Sequence, residues 1–273
     1  MAPYLQLLRH VLTHGRPTPT RATLASTGSN VSALSVFGTQ TRYDLSAGFP
    51  IVTTKRVPFR AVVVELCWFL SGSTNVGYLR ENGVTIWDEW ARPDGEVGPS
   101  YGKAWRDFDG VDQIADLIAN IAAVAQDPEH PAARRLILTA WNPHDVPLAV
   151  LPPCHVMTRF AVHDGRLSAH LFQRSGDLFL GVPFNVASYA LLTHMLARSA
   201  GLGVGELVHT ISDAHIYSNH VDQVREQLTR EPLPLPTLRW VADAPIDPLA
   251  IRPEHVRLEG YRPHSTLRGE VAI

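Results

Sequence analysis

The stretch "LPPCHVMTRFAVHDGRLSAHLFQRSGD", residues 151–177, decides how this chain is read. Pro152 and Pro153 stiffen the approach to Cys154. From His155 the residues run as a strand, Asp164-Gly165 supplies a two-residue hairpin turn, and the chain returns through "RLSAHLFQRS". Such a hairpin brings Arg174 back near Cys154. A guanidinium at that place stabilises a thiolate, the reactive form of cysteine, and binds an anion. The competing reading is a buried cysteine at a strand start, and the local sequence leaves both open.

Outward from the hairpin, the remaining segments alternate between helix and strand signals. "PYLQLLRHVLTH" (3–14) sets Tyr4, Leu8, Val11 and Leu12 at helical spacing, with Gly15 as a stop. Arg16 to Ser32 is polar and rich in Thr, Ser and Gly, and reads as a loop. "LSVFGTQTRYDL" (34–45) reads as a strand leading to a turn near "SAGFP". "FRAVVVELCWFLSG" (59–72) reads as a buried helix ending at Gly72. "DQIADLIANIAAVAQD" (112–127) is amphipathic, with Ile114, Leu117, Ile118, Ile121 and Val124 on one face. "RRLILTAW" (134–141) reads as a strand, and "NVASYALLTHMLARSAG" (185–201) as a helix stopped by Gly201. "REPLPLPTLRW" (230–240) is a proline-punctuated connection before short strands and loops. No repeat or polar linker divides the chain, which predicts one α+β domain over residues 1–273.

Composition narrows the function classes. The 273 residues carry a net charge of -2, with 45% hydrophobic and 18% charged residues, the balance of an ordinary globular protein. Near-neutral charge argues against a general nucleic-acid binder. No apolar run is long enough to span a membrane. The opening "MAPYLQLLRH" lacks the pattern of a secretion signal. Two cysteines, Cys67 and Cys154, are too few for a disulfide framework, so a reducing cytosol is expected.

Polar residues then gather in two segments. "QRSGDLFLGVPFN" holds Gln173, Arg174, Ser175, Asp177 and Asn185, and "SDAHIYSNH" holds Asp213, His215, Tyr217, Asn219 and His220. Surface loops look like this, and so does a site for a polar ring and a sugar. Glu65 lies inside the apolar "AVVVELCWFL". Either a partner satisfies it, or desolvation raises its pKa into the range of a general acid/base.

"LPPCH", "QRSGDLFLGVPFNVASYALLTHMLA" and "SDAHIYSNHVDQ" resemble the signature segments of folate-dependent thymidylate synthase. "GFPIVTTKR", "ELCWFLSGSTN", "VTIWDEWA", "GPSYGKAWR", "ARRLILTAWNP" and the ending "EGYRPH…VAI" match in order, over nearly the whole chain. The resemblance implies a large mixed β-sheet flanked by helices, with a sheet face forming a homodimer interface. It implies addition of Cys154 to C6 of a pyrimidine nucleotide, with 5,10-methylenetetrahydrofolate as co-substrate and no metal. Glu65, Tyr101, His155, Arg174 and Asn185 complete the catalytic set. Arg174 and Ser175 bind phosphate, His215 and Tyr217 the sugar 3'-hydroxyl, and Asp177 the pterin. Ile86, Trp87, Trp90, Gly181 and Ile273 line or close the folate site. Arg134 and Arg135 reach the partner subunit's phosphate. Asn185, where cytosine-specific relatives carry aspartate, favours uracil. The resemblance also covers pyrimidine nucleotide hydroxymethylases, so dUMP methylation stands beside 5-hydroxymethylation of dUMP, UMP or CMP with release of tetrahydrofolate.

Some positions depart from the pattern. The family's "DRTGTGT" loop, whose arginine clamps phosphate, is replaced by "ASTGSN", which puts Gly28 in the arginine's place and Arg21 in another register. Arg159, Ser212, Glu270 and the segment 127–133 also differ.

Overall fold

A computed structural model describes the full chain, residues 1–273. Helix α1 (Ala2–His14) precedes strands β1 (Arg16–Thr23) and β2 (Asn30–Asp44). Helices α2 (Phe59–Ser71), α3 (Gly77–Glu81), α4 (Tyr101–Arg106) and α5 (Gln113–Gln126) follow. Then come β3 (Ile137–Thr139), β4 (His155–His163), β5 (Arg166–Asp177), α6 (Gly181–Ser199), β6 (Gly203–Tyr217) and α7 (Val221–Thr229). The small strands β7 (Thr237–Trp240) and β8 (Val256–Glu259) pair with each other.

The main sheet is mixed, in the order β1-β2-β6-β5-β4-β3. Only β5 and β6 run parallel, because α6 carries the crossover between them. The β4–β5 hairpin turns at Asp164 (φ 50) and Gly165 (φ 68), both left-handed as a tight hairpin requires. One face of the sheet reads Leu138, Thr158, Leu171, His209 and Thr41 across the strands, and all five are buried against helices. The opposite face reads Ile137, Arg159, His170, Val208 and Arg42, with Ile137 43% exposed and Arg42 in a surface ion pair with Glu206. A continuous core of 57 buried residues lies on the helix side.

Most of the expected elements form, with physical reasons for the differences. Residues 16–32, expected as a loop, instead supply β1 and the start of β2. Pro17 and Pro19 are tolerated because β1 is the edge strand, where one side needs no backbone donors. The strand expected over 134–141 shrinks to three residues, with Arg134 in a preceding 3-10 turn. On α5, Ile114, Leu117, Ile121 and Val124 are buried, while Ile118 is only half-buried. Helix α6 starts at Gly181, four residues before the expected Asn185. Helix α2 ends at Gly72, whose φ of 78 makes the left-handed cap.

Candidate active site

Cys154 sits immediately before β4, at a β-bulge that shifts the register between His155 and Met157. Bulges of this kind re-aim a side chain beside a site. As the hairpin predicted, Arg174 returns to it: the Arg174 amide donates to the Cys154 carbonyl at 2.9 Å. The Arg174 guanidinium donates to Pro153 O (2.8 Å) and Pro152 O (2.7 Å), so it also fastens the rigid turn. Burial pushes the Cys154 thiol up, and the nearby Asp213 adds to this, while the charge of Arg174 opposes both. Desolvation therefore outweighs the guanidinium, so both sequence readings, a buried cysteine and an arginine that favours its thiolate, act on the same side chain.

Tyr101, at the start of α4, is 3% exposed, and its hydroxyl oxygen accepts from the Cys154 amide at 2.8 Å. Its own proton remains free for a substrate atom. The Tyr101 ring packs on His155 (centroids 4.6 Å) and edge-on to Trp87 (6.1 Å). Burial drives His155 down to about 3, so its imidazole is neutral.

Trp87 links this group to Glu65. Its indole Nε1 donates to Glu65 Oε1 at 2.7 Å. Glu65, on α2, is 9% exposed, and burial raises its carboxyl to about 7, with the Trp87 hydrogen bond opposing the rise. Both sequence readings thus hold together: Glu65 has a partner, and it titrates near neutrality. Trp87 is itself 6% exposed, so it serves more as the anchor of Glu65 than as an open wall. Trp90, against it at 6.0 Å, and Ile86 are half-buried at the rim.

A cavity of about 510 Å³ opens between β1, β2 and the ends of β5 and β6, lined by Arg21, Ser35, Ser175, Asp213, His215 and Tyr217 among others. Asp213 is its hub: Ser35 and Ser175 hydroxyls donate to it, and His215 Nδ1 lies 3.2 Å from its carboxylate. These partners, His215 first, hold Asp213 well below the usual carboxylate range. Burial works to lower His215, but Asp213 and the charge of Asp177 outweigh it and raise the imidazole. Sequence reasoning assigned no role to Asp213; its place two residues before His215, on the same face of β6, was the available signal.

Gly28 and Arg21 stand in different surroundings. Gly28, taken as the place of the missing arginine, lies at the β1–β2 turn with φ 66, and no atom comes within 4 Å of a Cβ built there. Arg21, on β1, lines the cavity with Ser175 instead. The chain reaches this arrangement because β1 pairs with β2 and so carries Arg21 over the ends of β5 and β6.

Asp177 ends β5 and accepts from the amides of Phe179 (2.9 Å) and Leu180 (3.3 Å), just before Gly181 opens α6. Asn185 lies one turn into α6 and accepts at Oδ1 from Gln173. Lys55, missed in the sequence, is buried with its ammonium over the Phe179 ring at 3.7 Å, and burial lowers it to about 8. Arg134 and Arg135 are exposed, stand at the far edge beside β3, and form no hydrogen bond from their side chains. They do not join the Cys154 group within this chain. The C-terminus docks on the end of β1: Ile273 exchanges backbone hydrogen bonds with Thr23 (2.7 and 3.0 Å), and Glu270 accepts from the Ser26 amide and hydroxyl, both at 2.8 Å. Asn219 and His220 hold the Glu270 carbonyl from the other side.

No group of three or more His, Cys, Asp or Glu side chains is placed to hold a metal ion, and no helix is long and apolar enough to cross a membrane. The family model described as thymidylate synthase matches residues 2–273, nearly the whole chain, and the chain belongs to that family of folate-dependent one-carbon transferases acting at pyrimidine C5.

Proposed function

We propose that this chain methylates dUMP at C5 with 5,10-methylenetetrahydrofolate, giving dTMP and dihydrofolate through an adduct at Cys154. The observation that carries the reading is Cys154 held between Arg174 and the Tyr101 hydroxyl, one aromatic contact from a carboxyl with a pKa of about 7. Sulfur addition to C6 makes C5 nucleophilic, which a free pyrimidine is not. Arg174 lowers the cost of the thiolate, and it keeps donors for phosphate after its two bonds to the proline carbonyls. Ser175 and Arg21 join it on the phosphate, while His215 and Tyr217 take the 3'-hydroxyl.

The folate, when bound, supplies the one-carbon unit and the hydride. Asp177 oxygens have lone pairs left for pterin N–H groups after the Phe179 and Leu180 amides, and Trp90, Ile86, Gly181 and Ile273 are the further residues assigned to the folate. Tyr101 and Glu65 move the C5 proton, Glu65 through water, near its own pKa. Asn185 matches uracil, with an acceptor for N3–H and a donor for O4. A second copy covers the helix-free face of the sheet, and Arg134 and Arg135 extend to its phosphate. Their exposure and lack of partners in this chain support that role.

The test is mass spectrometry of product from dUMP, UMP, dCMP and CMP with methylenetetrahydrofolate, followed by absorbance for dihydrofolate. A methylated product from dUMP with stoichiometric dihydrofolate is expected. A hydroxymethylated product without dihydrofolate would replace this reading with the hydroxymethylase one.

A further inference from the structure

Three polar atoms on the helix side of the sheet are enclosed without a partner in the protein: Thr41 Oγ1 and Tyr43 OH on β2, and His209 Nδ1 on β6. Their residues are 7%, 4% and 1% exposed, in that order. Strand register gathers them. Thr41 pairs directly with His209, and Tyr43 follows Thr41 by two residues, so it stands on the same face beside it. Burial pushes the Tyr43 phenol up to about 12, and Thr41 lies near enough to oppose the rise.

Buried hydroxyls and ring nitrogens are rarely left bare, because an unpaired one carries its full desolvation cost. Directly paired antiparallel residues hold their Cβ atoms about 5 Å apart. One molecule hydrogen-bonded to two atoms holds them up to about 6 Å apart. That spacing suits a single small molecule between the side chains, and no two of the three atoms bond to each other. Donors and acceptors define the molecule further. His209 Nε2 lies 2.8 Å from Gln173 Oε1, so it carries the ring proton and leaves Nδ1 as an acceptor in need of a donor. The two hydroxyls can each give or take a proton. Burial governs the shifts of Tyr43 and His209, and no carboxylate contributes to either, so nothing here balances a cation.

We propose that Thr41, Tyr43 and His209 form an interior binding site for one water molecule, which donates to His209 Nδ1 and is shared by the two hydroxyls. Three polar partners is the usual number for a buried water. A second cavity, of about 520 Å³, opens between α1 and β2 and is lined by Gln6, Leu7, His10, Gln40 and Thr41 among others. It reaches the same Thr41 from the surface and gives the water its way in. Of the three residues, none lines the cavity assigned to the nucleotide, so the site is separate from it.

Thr41→Val and Tyr43→Phe each remove a hydroxyl and keep the shape of the side chain. Urea unfolding of the full chain at one fixed concentration reads the result. With a water bound, each variant should lose about fivefold in its folding equilibrium constant. The double variant should lose no more than the weaker single one, because the water leaves with its first partner. Bare hydroxyls would reverse the sign, leaving each variant as stable as wild type or more so, and that overturns the site. ¹⁵N NMR of the histidine rings adds a readout that needs no variant to fold. In wild type His209 Nδ1 should resonate as a hydrogen-bonded acceptor, and in both variants it should move toward a free one. A direct Thr41–Tyr43 bond would destabilise the variants in the same way but leave Nδ1 free throughout. A free Nδ1 in wild type therefore overturns the proposal whatever the unfolding shows.

Discussion

Glu65→Gln separates what the buried carboxyl does for stability from what it does for chemistry. Burial raises the Glu65 pKa from 4.5 to about 7. In the unfolded chain it returns to the ordinary value. The folded pKa lies above the unfolded one, so the protonated form is favoured inside the fold. The associated stability is fully present below about pH 4.5 and is lost as pH rises through 7. Each pH unit between the two values is worth about 1.4 kcal/mol, so ionising Glu65 in place costs about 3 kcal/mol. Glutamine keeps the oxygen that accepts from Trp87 Nε1 and cannot ionise. Wild type and Glu65→Gln should therefore be nearly equally stable at pH 5. At pH 8 the variant should be more stable by about 3 kcal/mol. Urea unfolding at both pH values and one fixed protein concentration reads this directly. Activity should move the opposite way, falling by a factor of about 10² or more, because proton transfer through that carboxyl is lost. A stability difference of equal size at pH 5 and pH 8 would refute the reasoning, since it would mean that packing or hydrogen bonding, and not ionisation, distinguishes the two side chains.

Other perturbations probe the remaining parts of the site. Incubation with 5-fluoro-dUMP and methylenetetrahydrofolate should add nucleotide plus folate to the intact protein mass, because fluorine cannot leave as the C5 proton does; Cys154→Ser should abolish the adduct, and labelling of Cys67 would remove the assignment. Arg21→Ala should weaken dUMP binding about tenfold by calorimetry, the loss of one charge-assisted hydrogen bond, whereas Gly28→Arg should leave it unchanged because that position faces open space. Deleting Ile273, or replacing Glu270 by alanine, should lower kcat and raise the folate KM while leaving nucleotide affinity within about twofold; equal losses for both ligands would mean that the tail supports the whole fold.

The hairpin at 155–177 and the helices at 2–14, 59–71 and 113–126 were legible because their periodicity and punctuation agree. Cys154 and Arg174 were legible as neighbours because a tight turn fixes the register between them. The Glu65 shift was legible because all nine of its companions in "AVVVELCWFL" are apolar and it had to be desolvated. Three things were not. The edge strand β1 looked like a loop, since Pro, Thr and Ser carry no signal of which side of a strand is unpaired. The place of Arg21 on the cavity wall was left open, because chain position says nothing about which residue a hairpin carries over the sheet ends. The anchoring of Glu65 by Trp87 joins residues 22 apart on separate elements, and only packing brings them together.

The buried histidine shows where pattern reading stops and site reading starts. Along β6, alternation puts Leu207, His209 and Ile211 on the core face, and the two apolar members are fully buried as expected. A polar residue between them breaks the pattern, and an unpartnered imidazole there would be costly. Gln173 breaks it again on the neighbouring strand, beside Ile211. Either substitution alone would leave a buried donor or acceptor unmet, and the two meet at 2.8 Å through His209 Nε2, while His209 Nδ1 keeps no partner. Their mutual satisfaction explains why the core tolerates them, but it does not explain why the pair exists, since two apolar side chains would do as well for packing. What two apolar residues could not do is tie β6 through Gln173 to the Ser175 carbonyl and to Asn185 in the first turn of α6.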